Sequence, residues 1–200
     1  CTRSLQGFER GKGAAMNQPG TTQRAMGKGR IEAFSDGVIA IIITIMVLEL
    51  KVPHGVQLDS LQPLLPVFLC YTLSFVFIGI YWNNHHHLFQ VVQKVSGAAL
   101  WANLHLLFWL SLVPFVTGWM GENAFAPMTV ALYGVVLLMA GLAYFILCRV
   151  LIAHHGNDSQ LALALGKDYK GMASTVMYVV AIPLAFVSAW ISVALFVAVA

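Results

Sequence analysis

Charge is what this sequence has least of. Its 200 residues include 11 Lys and Arg and 8 Asp and Glu, together 10%, where a soluble domain carries roughly 25%. Apolar residues fill 59% of the positions. A soluble fold of this length cannot hide so much apolar surface in one core, so lipid is part of its solvent. Cysteine is scarce too. Cys1, Cys70 and Cys148 give no disulfide framework, and the last two sit inside apolar runs as small buried side chains. The net charge of +3 is small and gathered mostly at one end, which gives no case for a nucleic-acid partner. There is no H-E-x-x-H, no G-x-S-x-G and no pair of membrane aspartates. The expectation is a protein that is not an enzyme and holds no resident metal or cofactor.

What is present is a series of long uncharged runs. A bilayer core of about 30 Å is crossed by about 20 mostly apolar residues in a helix. Residues 34–50, 64–82, 98–119 and 125–148 meet that need, and the last three contain no Asp, Glu, Lys or Arg. A final uncharged run, 172–200, is too long for one tilted helix and holds Pro183 and a Ser188-Ala-Trp190 step. It reads as a hairpin, with a fifth helix over about 171–187 and a sixth starting near Trp190 and cut short. The expected fold is therefore all-α and polytopic, with six spans, five being the alternative. Residues 1–28 are polar, Gly-rich and basic, with Met16 and Met26 inside them, and read as a disordered extension. Residues 29–200 form the membrane domain. The 149–170 connection suggests a loop with a short interfacial helix over 161–165.

Charge placement supports the same layout. Six Lys and Arg precede the first helix, Lys94 lies in the second connection, and Arg149, Lys167 and Lys170 lie in the fourth. Only Lys51 falls on the other side, which makes the N-terminus cytoplasmic.

Ionisable groups inside a span are costly unless paired or hydrated, so each one points to function. The first helix carries Arg30-Ile-Glu-Ala-Phe34-Ser35-Asp36-Gly37. At 100° per residue on a helical wheel Asp36 points about 140° away from Ile41, so one face is expected to carry a buried acid. Phe34, Gly37, Ile41, Thr44, Ile45 and Leu48 gather on the opposite face. Partners for the acid are offered by Trp82-Asn-Asn84-His85-His86-His87 at the end of the second helix and by Asn103 and His105 on the third. Taken alone, the apolar stripe also fits an ordinary packing face, and the histidines fit an interfacial cluster. Consecutive histidines diverge on a helix, which argues against a shared metal.

The string Arg30-x-x-x-Phe34-Ser35-Asp36 resembles the signature of the endosomal and lysosomal potassium channels, the transmembrane protein 175 family. The likeness continues through Gly37-Val-Ile-Ala-Ile-Ile-Ile-Thr44 and Leu48-Glu49-Leu50. It returns in Tyr81-Trp82-x-Asn84-His85-His86-x-Leu88-Phe89 and in Leu100-Trp101-x-Asn103. His87 stands where the pattern has Arg, and the short sixth helix is a second departure. The resemblance implies a homotetramer in the cell membrane, multi-pass and bacterial for a single six-helix unit, with the first helix of each subunit lining a potassium pore. It implies selectivity without a carbonyl-lined filter, and no Thr-Val-Gly-Tyr-Gly stretch is present. Carried over by position, Ile41, Ile45 and Leu48 line the constriction and Thr44 adjoins it. Arg30, Phe34, Ser35 and Asp36 would brace the first helix against Trp82, Asn84, His85 or His86, and Asn103. Glu49 and Asp59 would draw cations to the outer mouth. The competing reading is a proton-coupled or cation secondary transporter that uses Asp36 with His85 and His86 as a relay.

Overall fold

The computed structural model describes residues 27–155 and 169–199, and every element among them is helical. In chain order these are α1 (Lys28–Leu48), a short 3-10 helix (Leu58–Leu64), α2 (Leu65–Val91), α3 (Gly97–Ser111), α4 (Val113–Glu122), α5 (Pro127–His155), α6 (Tyr169–Leu184) and α7 (Ala189–Val199). Four stretches are long and apolar enough to cross a membrane: α1, the 3-10 helix with α2, α3 with α4, and α5. α6 and α7 are shorter apolar helices. The expected disordered extension, up to residue 26, and the expected 161–165 helix lie outside the described residues.

Local chemistry sets the boundaries. Pro66 stands in the first turn of α2 and Pro127 opens α5, where a missing N–H costs nothing. Ser96 caps α3, its hydroxyl accepting from the Ala99 amide at 3.2 Å. Several boundaries differ from the sequence expectation. α5 runs on past Cys148 to His155 and α6 starts at Tyr169, so both ends of the expected 149–170 connection are helix. α1 starts at Lys28, ahead of the apolar run, because Arg30 and Glu32 form helix as readily as their apolar neighbours. α2 continues to Val91, which puts His85, His86 and His87 inside the helix instead of at its end. The third span also breaks where an unbroken helix was expected. Pro114 cannot donate to the preceding turn, and Leu112 ends α3 and caps α4. The last run folds back as expected. α6 stops at Leu184 just after Pro183, and the Ser188 amide closes the turn on the Leu184 carbonyl at 2.8 Å. Ser192 of α7 donates to the Ala181 carbonyl at 2.7 Å and pins the hairpin.

α1 packs mainly on α2, α3 and α4, whereas α5 lies against α3, α4, α6 and α7. α1 therefore occupies one edge of the bundle. Inside lipid the helices are held by close packing more than by the hydrophobic effect, and small residues permit it. At Gly121 a Cβ would stand 2.7 Å from Val67 Cα, so α2 and α4 meet backbone to backbone.

Candidate functional site

α1 has two unlike faces. Ile31, Ser35, Ile39, Ile42 and Met46 are buried, at steps of three and four that follow the helix period. Ile41 (57% exposed), Ile45 (43%) and Leu48 (78%) stand on the open side with Phe34, Gly37 and Thr44. The Thr44 hydroxyl donates to the carbonyl of Ile41 at 2.9 Å, so its proton is used by its own helix. A groove of about 430 Å3 runs between Ile41 and Ile45 on α1, with Glu49 just past its end, and Ser111, Pro114 and Phe115 at the α3–α4 break. The break thus opens space directly beside the apolar stripe.

The buried face is fastened by hydrogen bonds. Asn103 donates from Nδ2 to Ser35 Oγ at 2.9 Å, and its Oδ1 lies 2.8 Å from His85 Nε2. Ser35, His85 and Asn103 are all almost fully buried, so one amide joins α1, α2 and α3 where water does not compete. His85 also stacks on Phe89, ring centroids 4.5 Å apart. One turn away Trp82 donates from Nε1 to Asp36 Oδ1 at 3.1 Å. Asp36, Trp82 and this bond are exposed in the single chain: the buried polar residue of α1 is Ser35, and Asp36 lies at the rim.

The residues expected as a bracing set are thus divided. Ser35, Asp36, Trp82, His85 and Asn103 tie α1 to its neighbours. His86 stacks on Trp82 and is paired with Gln90 at 2.9 Å. Asn84 contributes its backbone carbonyl, which accepts from Tyr144 on α5 at 3.2 Å. Phe34 and Arg30 are exposed, and no hydrogen bond of theirs enters the set. Among the described residues no hydrogen bond joins Asp36 to either histidine, and no group of three or more His, Cys, Asp or Glu is placed to hold a metal ion.

A second buried network joins α2, α4 and α5. Ser74 Oγ lies 2.7 Å from Thr117 Oγ1 and 3.0 Å from Tyr133 Oη. Thr117 donates to the Val113 carbonyl at 2.6 Å. With that proton committed, the chain runs one way: Tyr133 donates to Ser74, which donates to Thr117. Sequence reasoning passed over all three residues. Each lies in an apolar run that holds other hydroxyls, Thr72, Ser111 and Thr129 among them, so nothing in the chain singles these three out.

At the far end of the bundle Lys51 Nζ lies 2.6 Å from Glu122 Oε1, both side chains exposed. The hydrogen bond and charge of Glu122 raise the Lys51 ammonium above its ordinary value, burial opposes slightly, and Glu49 adds to the rise. Glu49 therefore sits beside both the groove and this ion pair, at the end of the stripe.

Comparison with known proteins meets the same residues. The sequence model of the family described as "Endosomal/lysosomal potassium channel TMEM175" matches residues 30–114, which hold the α1 face, both ends of the groove and the Ser35–Asn103–His85 bonds. A protein named as a potassium channel from Chryseobacterium sp. (strain P1-3) is 55% identical over 175 residues, 88% of this chain and 91% of that one. The crystal structure of a lysosomal potassium-selective channel TMEM175 homolog from Chamaesiphon minutus superposes with a TM-score of 0.74 at 35% identity. It covers 86% of this chain and 94% of that one. A human protein named as an endosomal/lysosomal proton channel is 38% identical over 85 residues, 36% of this chain and 17% of the human one.

Proposed function

This chain belongs to the TMEM175 family, and on that premise we propose that it is a potassium-selective cation channel whose pore is lined by α1 of each subunit. The observation that carries the reading is the open, uncharged stripe of Ile41, Ile45 and Leu48 at the edge of the bundle, opposite a face fastened to the rest of the chain. A single α1 encloses nothing. Identical copies around an axis turn each of these residues into a ring. The count that the resemblance implies is four.

Rings of branched aliphatic side chains present no ligand to an ion and admit little water. Such a constriction favours the ion that gives up hydration more cheaply, which is potassium over sodium. Thr44 contributes a hydroxyl oxygen beside the rings, its proton turned back to Ile41. Ser35, Asn103, His85, Asp36 and Trp82 touch no ion in this mechanism and set the rotation of α1. The helices from Lys28 onward act as one channel unit in a bacterial plasma membrane, with the start of α1 on the inner side. Conduction down a gradient needs no catalytic group and no resident cofactor. A proton-coupled carrier draws less support, since Asp36 is bonded to Trp82 and His85 to Asn103, and no hydrogen bond among the described residues joins the two pairs.

The test is purified protein in liposomes with potassium and sodium flux measured side by side. Wild type passes potassium faster. Ile41→Asn puts a polar group in the constriction, and the potassium-to-sodium permeability ratio falls severalfold. An unchanged reversal potential in mixed solutions rejects Ile41 as the selecting ring.

A further inference from the structure

Two backbone amides in the connection between α2 and α3 find their acceptor outside it. Gln93 and Lys94 both direct their N–H groups at Nε2 of His155, the last residue of α5, at 3.3 Å in each case. The other ring nitrogen, Nδ1, lies 2.9 Å from the carbonyl oxygen of Leu151, which can only accept. Together these contacts permit one form of the ring. Nδ1 carries the hydrogen, Nε2 is bare, and the imidazole is neutral.

The contact sits where it can influence the pore helix. The connection fixes how α2 and α3 leave each other, and these helices present Trp82, His85 and Asn103 to α1. α5 is also tied to α2 higher up, where Tyr144 donates to the Asn84 carbonyl. Lys28, in the first turn of α1, donates to the Gln90 carbonyl at 3.2 Å, just before the connection. The end of α5, the connection and the start of α1 therefore form one continuous bonded patch.

We infer that His155 is a positioning residue for the pore: as a neutral acceptor it clasps the α2–α3 connection, and a proton taken from the adjoining solution opens the clasp and loosens the seat of α1. The proton adds to the Nε2 lone pair, which leaves an N–H facing two other N–H groups, and the amides of Gln93 and Lys94 turn to water. Among the described residues, the titratable and charged groups on the surrounding elements are mostly bases. His154 lies beside His155, ring centroids 5.6 Å apart, and Arg149 is further back on the same helix. The connection brings Lys94, and the last turns of α2 bring His86 and His87. Of the helices packed on α5, α3 carries His105, α6 has Lys170 in its first turn, α7 carries no charge, and Glu122 of α4 is at the opposite end. α1, which reaches the patch through Lys28, carries Arg30 and Glu32 in its first turns. Among the described residues no carboxylate is hydrogen-bonded to or ion-paired with His155.

Only the effect on conduction rests on the channel reading; the clasp is read separately. Hydrogen exchange is followed by mass spectrometry on the assembled protein in liposomes, at about pH 8 and about pH 5, either side of the range where imidazoles titrate. After correction for intrinsic rates, peptides covering residues 92–96 are expected to lose protection about tenfold at the lower pH. His155→Gln keeps an acceptor that does not titrate, and its protection is the same at both values. His155→Leu lacks the acceptor and is unprotected at both; if it does not fold, the Gln variant alone decides. Wild-type protection that ignores pH overturns the proposal, as does a Gln variant that keeps the wild-type pH response. Potassium flux is measured in the same vesicles while the pH is lowered on the face bearing the connection. It changes severalfold in wild type and stays level in His155→Gln; equal responses overturn the link to the pore. Wild-type vesicles that pass no potassium at either pH sink the channel reading, while exchange still judges the clasp.

Discussion

The Ser35–Asn103–His85 chain and the Tyr133–Ser74–Thr117 chain are made of the same kind of bond. Both are buried, and their side-chain links fall between 2.7 and 3.0 Å. They differ in what they join. The first runs from α1 to α2 and α3, and it is the only one of the two to reach the open stripe through the helix that bears it. The second joins α2, α4 and α5 and leaves α1 untouched. Equal chemistry thus joins different helices: one network fastens α1, the proposed pore helix, and the other fastens the helices behind it.

Asn103→Leu is expected to have the largest effect. It removes both bonds of the first network and leaves His85 and Ser35 buried without a partner, a cost of about 2–3 kcal/mol. Thermal unfolding in detergent falls accordingly, and any protein that still assembles fails to conduct because α1 is no longer held at one angle. Ser74→Ala comes next. Tyr133 loses its acceptor while Thr117 keeps the Val113 carbonyl, so the loss is about 1–2 kcal/mol. Flux per assembled channel stays at the wild-type level. Equal damage to conduction from both variants would abolish the division of labour drawn above. Asp36→Ala removes a bond at the exposed rim, worth about 1 kcal/mol or less, yet it still loosens α1 against Trp82. Conduction is expected to suffer more than stability, the reverse of Ser74→Ala. Robust potassium-selective current from the Asp36→Ala protein would count against the bracing role.

The two networks also show what a reader of the chain can reach. Scarce charge, long uncharged runs and Lys and Arg on one side pointed to the membrane class, and the period of α1 separated its two faces. The first network was legible because it holds an acid, an amide and histidines, residues too costly in lipid to be there idly. The wheel placed the acid away from Ile41 but gave it the buried role that Ser35 takes, since spacing alone does not tell which of two adjacent polar residues faces the bundle. The second network was silent. A Ser, a Thr and a Tyr in separate runs carry no mutual register, and only the packed helices bring them within reach. The α3–α4 break shows a third limit. Pro114 stands in a run that reads as one unbroken span, and nothing in that run says that it opens beside Ile41 and Ile45.

The smallest effect is expected at Lys51, and it bounds the contrast from below. Its bond to Glu122 is short, but both side chains face the aqueous end of the bundle, where water and salt compete for each charge. The folded-state value of the ammonium is raised by Glu122 and, less, by Glu49, with burial working slightly the other way. A raised value means that the pair contributes fully below the ordinary lysine range and fades as pH climbs through the raised one, so neutral conditions lie inside the plateau. Even there Lys51→Met leaves the melting temperature within error, at low and high salt alike. A drop as large as that of Ser74→Ala would show that burial is not what separates the strong contacts from the weak. The substitution does act on charge. It takes a cation from beside Glu49 at the end of the stripe, leaving the mouth more negative and enriching it in potassium. Potassium flux should therefore rise modestly at low ionic strength and return to the wild-type level once salt shortens the reach of the field.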